Sequence, residues 1–454
     1  MADQSHHRRP APPRVLLLAV LAAAAFALYA PALRTGLLSD DFALLTWART
    51  RDFLPASWEF VRPLPLMIWA VVASVAPIEA QPLVLHVVNV LVHAISSWLV
   101  FLLARQLGAS AAASVSAAVL FLCFPAAVEP VVWVSAFPDV LLACSALTLC
   151  VIAIRREQLT VPDQLVCLSI ACLMLATKES GIAAGPLVLL CRWMRWGLRS
   201  RTTYVVVALI AGIGLTYAMW RVQGGRIDRG LLPGAERDAV RRLVEQSFGT
   251  FLLPLHTDVR RAVPQASLLL PAVVTLLAAS VVWRWPHAPL PARLGLLAAA
   301  TTVVWTVPGI RAFWVLEDLQ GSRYIYLPAA FWSLALASAL NDGWPRRWQR
   351  VSGAILTIVL LVGSVLAIRA HLEPWRRAAR ARDVVLFHVR SLPRSCRRVH
   401  LTDVPDHVGG AYVFRNGLTQ AAAMSGREIE LVGAADAAPE CRLDVAAGAA
   451  RIRR

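Results

Sequence analysis

The sequence predicts an all-α polytopic membrane protein with about eleven transmembrane helices, followed by a small C-terminal α/β appendage. Of 454 residues, 58% are hydrophobic and only 16% are charged, which is too apolar for a soluble protein of ordinary composition. Apolar runs long enough to cross about 30 Å of hydrocarbon recur from Arg14 to Arg369. After Arg369 these runs stop, and short segments with turn-forming residues replace them.

The apolar runs place the transmembrane helices along the chain. The predicted spans are 15–33, 82–104, 109–127, 138–154, 163–177, 181–191, 204–220, 266–283, 291–308, 324–340 and 350–368. We interpret the first run as a retained anchor, because it is long for the apolar region of a signal peptide. The triplets Ala25-Phe26-Ala27 and Ala30-Pro31-Ala32 keep a cleaved signal open as the alternative.

The arginines give the orientation of these spans. The formal net charge is +17, but the arginines are spread between apolar runs and form no basic patch interleaved with aromatic residues, so we expect no nucleic-acid partner. Arginines instead recur in alternate short loops, as expected for loops that face the cytoplasm. This alternation places the loop after the first span, and also the C-terminal tail, on the extracytoplasmic side. The Arg- and Ala-rich composition favours a bacterial inner membrane with that loop in the periplasm.

The first outer loop, residues 34–81, mixes aromatic, charged and proline residues. Such a composition predicts short amphipathic helices that lie along the membrane surface rather than across it. The piece at 64–78 is also apolar enough to form a short span, and that alternative stays open.

The tail after Arg369 has the pattern of a small soluble domain, so we divide the chain into a membrane domain, 1–369, and an appendage, 370–454. A basic helix is predicted over Pro374–Leu392, strands over 399–404 and 428–432, and turns at Gly409-Gly410 and Asn416-Gly417. If the appendage is extracytoplasmic, its cysteines Cys396 and Cys441 are able to form a disulfide. The other six cysteines lie in or beside apolar runs and are expected to be small core residues.

Two adjacent carboxylates, Asp40 and Asp41, follow the first span in the stretch Leu37-Leu38-Ser39-Asp40-Asp41-Phe42. A structural explanation is available, because Ser39 or Asp40 would cap a helix from Asp41 to about Thr50 and acidic residues suit its first turn. Capping requires only one such residue. The functional interpretation is that one carboxylate removes a proton from an acceptor hydroxyl while the second orients it or the substrate.

Further polar motifs follow near the outer ends of predicted spans, where ionisable groups are costly and therefore suggest function. They are Arg62-Pro63-Leu64, His86-x-x-Asn89-x-x-x-His93, Pro125-x-x-x-Glu129-x-Val131-Val132-Trp133, Asp139, Lys178-Glu179-Ser180 and Arg323-Tyr324-Ile325-Tyr326-Leu327-Pro328. Lys178 is the only lysine among 45 Lys and Arg residues. Because the chain otherwise uses Arg, a lysine at position 178 suggests a site that requires a compact ammonium group. A lysine kept by chance and paired with Glu179 explains the observation equally well.

In this order the motifs resemble those of the glycosyltransferase C superfamily, whose members use polyprenyl- or dolichyl-phosphate sugars. The closest resemblance is to the transmembrane O-mannosyltransferases that carry tetratricopeptide repeats. Residues 37–190 and 321–330 carry the likeness. The repeats are absent, Phe124 stands where the pattern often has His, and Pro138-Asp139 replaces a Gly-Arg-like pair, so the sugar and the acceptor are left open.

The resemblance implies an integral-membrane glycosyltransferase. It would move a sugar, with mannose favoured, from a polyprenyl phosphate to a hydroxyl of a protein or glycan acceptor on the outer face, with inversion. Asp40 matches the catalytic acidic position of the superfamily and Asp41 its partner. The candidate substrate-binding residues are Arg62, His86, Asn89, His93, Glu129, Asp139, Lys178, Glu179, Arg311, Arg323 and Tyr324.

Among these residues we expect different roles. The cations Arg62, Lys178, Arg311 and Arg323 are candidates to stabilise the departing phosphate. Glu129 and Asp139 are expected to bind sugar hydroxyls. No cofactor is required, although a divalent metal held by these two carboxylates with Asp40 or Asp41 is a less favoured possibility. For the His86, Asn89 and His93 set, mutual hydrogen bonding inside the bundle is favoured over substrate binding.

A transporter or flippase for a lipid-linked or anionic solute is the main alternative, since it would also place charges near the membrane. Transporters commonly show paired repeats and helices broken at mid-depth. The sequence shows neither feature, and its polar residues gather at one face. The bilayer, a lipid-linked donor and an acceptor are therefore the expected partners.

Overall fold

The computed structural model describes residues 14–55, 61–197, 200–223, 254–262, 272, 275–276, 278–306, 315–344, 346–431 and 441–444. Its helices are α1 (Arg14–Tyr29), α2 (Asp40–Thr50), α3 (Pro63–Val75), α4 (Gln81–Gln106), α5 (Ala111–Leu122), α6 (Val128–Val132), α7 (Phe137–Ala153), α8 (Val161–Thr177), α9 (Ala184–Trp196), α10 (Arg201–Gln223), α11 (Thr257–Ala262), α12 (Leu290–Thr306), α13 (Tyr326–Asp342), α14 (Arg347–Ser391) and α15 (Leu418–Met424). The predicted all-α architecture is confirmed.

Within the described residues, four helical segments are long and apolar enough to cross a membrane. They are Gln81–Gln106, Val134–Ala153, Arg201–Arg221 and Arg347–Ser391. A fifth span is possible if Ala111–Leu122 and Pro125–Val132, which are bent by 45° relative to each other, form one broken span. The predicted spans 15–33, 163–177 and 291–308 overlap shorter apolar helices, and 181–191 and 324–340 overlap α9 and α13. The predicted span 266–283 lies partly outside the described residues. The total of eleven spans therefore stays a prediction.

The predicted span at 109–127 is not one continuous helix. Helix α5 ends at Leu122, and a separate turn begins at Pro125. Proline disfavours helical geometry in the residue before it, and Phe124 accordingly has extended backbone angles. The break redirects the chain so that Glu129 lies in the short helix α6 rather than beyond a membrane span.

The bundle is built around helix α13, which is buried from Tyr326 to Leu340. It packs on α12 and α5, while α4 packs on α1, α5 and α7. Gly295 allows α12 and α13 to approach closely, because a Cβ atom there would lie 2.6 Å from the Phe331 carbonyl oxygen. Helix α4 therefore carries His86, Asn89 and His93 in the bundle, and Arg323 and Tyr324 lie just before α13.

The first outer loop contains helices α2 and α3, as predicted. One face of α2 is buried through Phe42, Leu44, Leu45 and Ala48, so this helix packs on the protein. The expectation that Ser39 or Asp40 caps it through a side chain is wrong, because Ser39 occupies the N-cap position without a side-chain capping hydrogen bond. Whether α2 and α3 lie on a membrane surface stays a prediction.

Helix α14 runs from Arg347 to Ser391 without interruption, although Pro374 lies within it. The basic helix predicted over Pro374–Leu392 is its outer half. The predicted domain boundary at residue 369 lies inside this helix, so the division into two domains stays a prediction.

Beyond α14 the appendage is a small α/β unit, as predicted. Its strands are β1 (Arg398–Thr402), β2 (His407–Val408), β3 (Ala411–Tyr412), β4 (Glu430–Leu431) and β5 (Cys441–Asp444). Strand β1 lies between β4 and β5 in a parallel sheet, and β2 pairs with β3 in an antiparallel hairpin. A disulfide joins Cys396 to Cys441 and so closes the sheet at its start.

Candidate active site

The site begins at a tight turn over residues 38–41. The amide of Asp41 donates to the Leu38 carbonyl at 3.0 Å, and Ser39 has φ 49° and ψ −119°. These angles are those of the first central residue of a type II′ turn, which is normally glycine. A non-glycine residue there costs on the order of 1–3 kcal/mol and persists only where its surroundings fix it. The strained turn directs the two carboxylates apart.

Asp41 is buried, and both of its carboxylate oxygens accept hydrogen bonds. Its Oδ2 accepts from the Leu38 amide at 2.7 Å, and its Oδ1 accepts from the Ser135 amide at 2.7 Å and from the Ser135 hydroxyl. The side chain is 1% exposed. Burial raises the pKa of Asp41 to about 7, against the opposing effect of the hydrogen bonds from Ser135 and Leu38. Asp41 therefore holds the turn against the 134–136 segment.

Asp40 points outward and is half-buried. Its Oδ1 accepts from the side-chain amide of Asn416 at 2.7 Å, and the Ser39 hydroxyl lies 3.5 Å from the same atom. Within the described part of the chain, Oδ2 of Asp40 accepts no hydrogen bond from a protein group. This is the carboxylate oxygen that is open to a substrate.

The raised pKa of Asp41 leads to a prediction about stability. In the folded protein the Asp41 carboxyl keeps its proton up to about pH 7, whereas in the unfolded chain it loses the proton near pH 3.8. The free energy of unfolding therefore falls as pH rises through this window, by up to about 1.4 kcal/mol per pH unit. Asp41→Asn removes the titration. We expect the melting temperature of the wild type, relative to Asp41→Asn, to fall between pH 4 and 7; a difference that is constant or rises would contradict this assignment.

A row of ion pairs extends from the turn across the outer end of the bundle. Arg323 pairs with Glu129, Lys178 with Asp139, and Arg62 with Glu179 at 3.2 Å. Arg221 also approaches Glu179, at 3.5 Å. Among the described residues, four cations and three carboxylates form this row, so several positive charges lie close together there.

The charges in this row act on one another. Burial works to raise the pKa of Glu179, but the positive charges of Arg62, Lys178 and Arg221 outweigh burial and lower that pKa below its usual value. Glu179 is therefore ionised at neutral pH and holds both guanidinium groups at the edge of the row.

Aromatic rings connect the ion pairs to the turn. Tyr324 accepts a hydrogen bond from Arg323 at 3.0 Å, and the Lys178 ammonium lies 4.9 Å from the Tyr324 ring centroid. Arg323 also lies 5.0 Å from the Trp133 ring centroid. The Trp133 indole N–H donates to the Leu38 carbonyl at 3.3 Å. The carboxylate turn and the cation row therefore form one continuous site.

The residues His86, Asn89 and His93 do not satisfy one another in this structure. The His86 ring contacts the Gly36 carbonyl at 3.1 Å, and Asn89 lies 3.4 Å from carbonyl oxygens of 130, 131 and 133. His93 contacts the Tyr326 hydroxyl at 2.6 Å and the Leu122 carbonyl at 3.1 Å. Each side chain fixes a separate segment of the site's frame, and substrate binding by these residues stays a prediction.

Metal binding receives no support from the geometry. Within the described residues there is no group of three or more His, Cys, Asp or Glu side chains that could hold an ion. Glu129 and Asp139 are instead paired with Arg323 and Lys178. The carboxylates expected to contribute ligands are therefore already neutralised by protein cations.

Lys178 is enclosed, with 3% exposure, between Asp139 and the Tyr324 ring. A planar guanidinium needs more room than an ammonium, and close-packed sites tolerate added volume poorly. We expect Lys178→Arg to lower turnover by about 10-fold or more although the charge is kept. Arg105→Lys, a swap in the opposite direction at the far end of α4, is the control. Wild-type turnover by Lys178→Arg would show that any cation suffices.

Sequence reasoning missed several residues of the site. Ser135 and Arg221 contact predicted site residues, and Tyr412 and Asn416 come from the appendage. The Asn416-Gly417 pair predicted a turn, but nothing in the sequence indicated that this turn contacts Asp40. Arg311 lies outside the described residues, and its role stays a prediction.

No family model matches the chain, and no curated protein matches it. Solved structures do. The oligosaccharyltransferase of Archaeoglobus fulgidus, tethered with an acceptor peptide containing the NVT sequon, matches with a TM-score of 0.51 and 11% identity over 86% of this chain and 61% of that chain. ArnT from Cupriavidus metallidurans, bound to undecaprenyl phosphate, matches with a TM-score of 0.48 and 13% identity over 93% of this chain and 86% of that one.

The chain therefore has a fold similar to that of this archaeal oligosaccharyltransferase. It spans about three fifths of the length of the archaeal oligosaccharyltransferase that it matches. At these identities the likeness concerns the fold alone.

Proposed function

We propose that the protein is an integral-membrane, inverting glycosyltransferase that moves a sugar from a polyprenyl phosphate to an acceptor hydroxyl on the extracytoplasmic face. The observation that supports the proposal is that one site contains a half-buried carboxylate, Asp40, and a row of cations that includes Lys178 and Arg323. A base for the acceptor and positive charge for a departing phosphate are the two elements that such a transfer requires.

The reaction is a single displacement. The acceptor oxygen attacks the anomeric carbon and forms the new glycosidic bond, while its proton passes to Oδ2 of Asp40. The bond from the anomeric carbon to the phosphate oxygen breaks, and its electron pair leaves with the lipid phosphate. The negative charge that develops on this phosphate is stabilised by Lys178 and Arg323, with Arg62 at the edge of the row.

Asp41 acts as a positioning residue in this assignment. Its oxygens are occupied by hydrogen bonds from Leu38 and Ser135, so they are not available to an acceptor. One accessible carboxylate is sufficient for inversion, since no second carboxylate is needed to form a covalent intermediate.

The extracytoplasmic location has two supports. The arginine distribution orients the first outer loop away from the cytoplasm. The disulfide Cys396–Cys441 lies in the appendage that contacts Asp40, and disulfides persist in oxidising compartments. For a bacterial protein this side is the periplasm. A mannose-like sugar is favoured because the motif order most resembles that of O-mannosyltransferases.

The test is incubation of the purified protein with a panel of radiolabelled polyprenyl-phosphate sugars and hydroxyl-bearing peptide and glycan acceptors. The proposal predicts that one donor is consumed and that its label appears covalently on an acceptor. Reconstituted vesicles form the second arm. Movement of intact labelled lipid across the bilayer, with no covalent product from any donor, would overturn the proposal in favour of a flippase.

A further inference from the structure

The appendage makes direct contact with the carboxylate turn. The Ser39 amide donates to the Val413 carbonyl at 2.9 Å, and the Asn416 amide donates to the Ser39 hydroxyl at 3.3 Å. A Cβ atom on Gly417 would lie 2.4 Å from the Ser39 carbonyl oxygen, and Gly417 has φ +80°. The sequence therefore needs glycine there for two reasons, and the close approach of the two segments is built into the fold.

Side chains extend this contact. The rings of Phe42 and Phe414 stack with centroids 6.0 Å apart, and both are buried. On the other side of the turn, the outer half of α14 contributes Arg382, which donates to the Thr35 and Leu37 carbonyls at 2.6 and 2.8 Å. The loop that leads to Asp40 is thus held from two directions.

The same segment also reaches the cation row. The Tyr412 hydroxyl accepts from Arg323 at 3.1 Å, and the Tyr412 ring lies 4.4 Å from the Trp133 ring, centroid to centroid. Burial raises the pKa of Tyr412 to about 12, so the hydroxyl stays protonated at neutral pH. Residues 411–417, which we call the covering segment, therefore contact both halves of the site.

We propose that the covering segment is part of the active site and that Asn416 is a positioning residue for Asp40. The inference rests on the proposed function, because it assumes that Asp40 is the base. Asn416 donates to Oδ1 of Asp40, and within the described residues Oδ2 accepts no hydrogen bond from the protein. The strained Ser39 that precedes this carboxylate donates one hydrogen bond to the covering segment and accepts one from it.

Asn416, which lies 376 residues from Asp40 in the chain, therefore has a defined role in positioning this carboxylate. Removing the Asn416 amide frees the Asp40 carboxylate to rotate. A misplacement of about 1 Å is enough to lower the rate by roughly 10²-fold in a positioned site. Donor binding should be little affected, since the cation row keeps its own contacts.

The test uses the full-length protein with Asn416→Ala and with Asn416→Asp, which has nearly the same shape but lacks the amide donor. We expect turnover to fall by about 10- to 100-fold for Asn416→Ala, and further for Asn416→Asp, with donor KM within about twofold. The melting temperature is measured alongside. Thr419→Ala, an exposed change in α15 of the same appendage, is the control and should behave as the wild type.

A double-variant cycle separates positioning from a merely structural role. If Asn416 acts through Asp40, Asn416→Ala should have no further effect on the residual activity of Asp40→Asn. An equal loss in both backgrounds would overturn the inference, as would wild-type turnover by Asn416→Ala when Asp40→Asn is inactive. Wild-type turnover by Asp40→Asn would instead count against the proposed function, so the two failures are distinguishable.

Discussion

Asp40→Asn is expected to lower sugar transfer by about 10²–10⁴-fold, because positioned general-base catalysis typically contributes that much. An amide has nearly the shape of the carboxylate but does not accept the proton of the acceptor hydroxyl. Asp40 is half-buried with one amide donor on it, so the substitution removes no buried charge and the protein should still fold. Transfer from a labelled donor, measured at saturating acceptor, gives the turnover.

A matched control is Asp52→Asn, which removes an exposed carboxylate from the same outer loop. It should leave turnover unchanged. Wild-type turnover by both Asp40→Asn and Asp41→Asn would refute the assignment of the base to this turn. Loss of activity in Asp41→Asn alone, with Asp40→Asn fully active, would move the base to the inner carboxylate.

Arg323→Leu is expected to destabilise the protein by about 3–5 kcal/mol, because removing one partner of a buried ion pair leaves the other charge uncompensated. The partner is Glu129, which is 3% exposed and also accepts from the Ser322 hydroxyl at 3.1 Å and the Arg323 amide at 3.2 Å. Equilibrium unfolding in mixed micelles measures the change in free energy. Transfer should be lost as well, since the phosphate loses a cation.

Two variants show whether the uncompensated charge is the cause. Arg380→Leu removes a cation whose pairing with Glu373 is solvent-exposed, and its cost should stay below about 1 kcal/mol. Adding Glu129→Gln to Arg323→Leu removes the orphaned charge and should recover part of the stability. If the free energy of unfolding of the double variant is lower than that of Arg323→Leu, the uncompensated Glu129 charge does not explain the loss of stability.

The local elements of the site could be predicted from the sequence, because they depend on short-range patterns. The helix expected from Asp41 to about Thr50 is observed as α2, and the motifs around Glu129, Lys178 and Arg323 do meet in one row. Lys178 lies at the end of α8 and Arg323 just before α13, and packing of such apolar helices brings their ends together.

The long-range contacts could not be predicted. Asn416 and Tyr412 reach the site only because the appendage folds back over the turn, and no periodicity encodes that approach. Ser39 was assigned a capping role because serine favours that position, but tertiary contacts hold it in a conformation that serine rarely adopts. Likewise, spacing places His86 and Asn89 on one helix face but does not reveal that each contacts a different loop.

In the proposed mechanism Asp40 acts as the base of a single displacement. The anomeric configuration of the product tests this most directly, and NMR of a glycoside made from a donor of known configuration measures it. The product should have a configuration opposite to that of the donor, and Asp40→Asn should form it about 10²–10⁴-fold more slowly under the same conditions. A product that keeps the donor configuration would be incompatible with a single in-line displacement and would refute this role of Asp40.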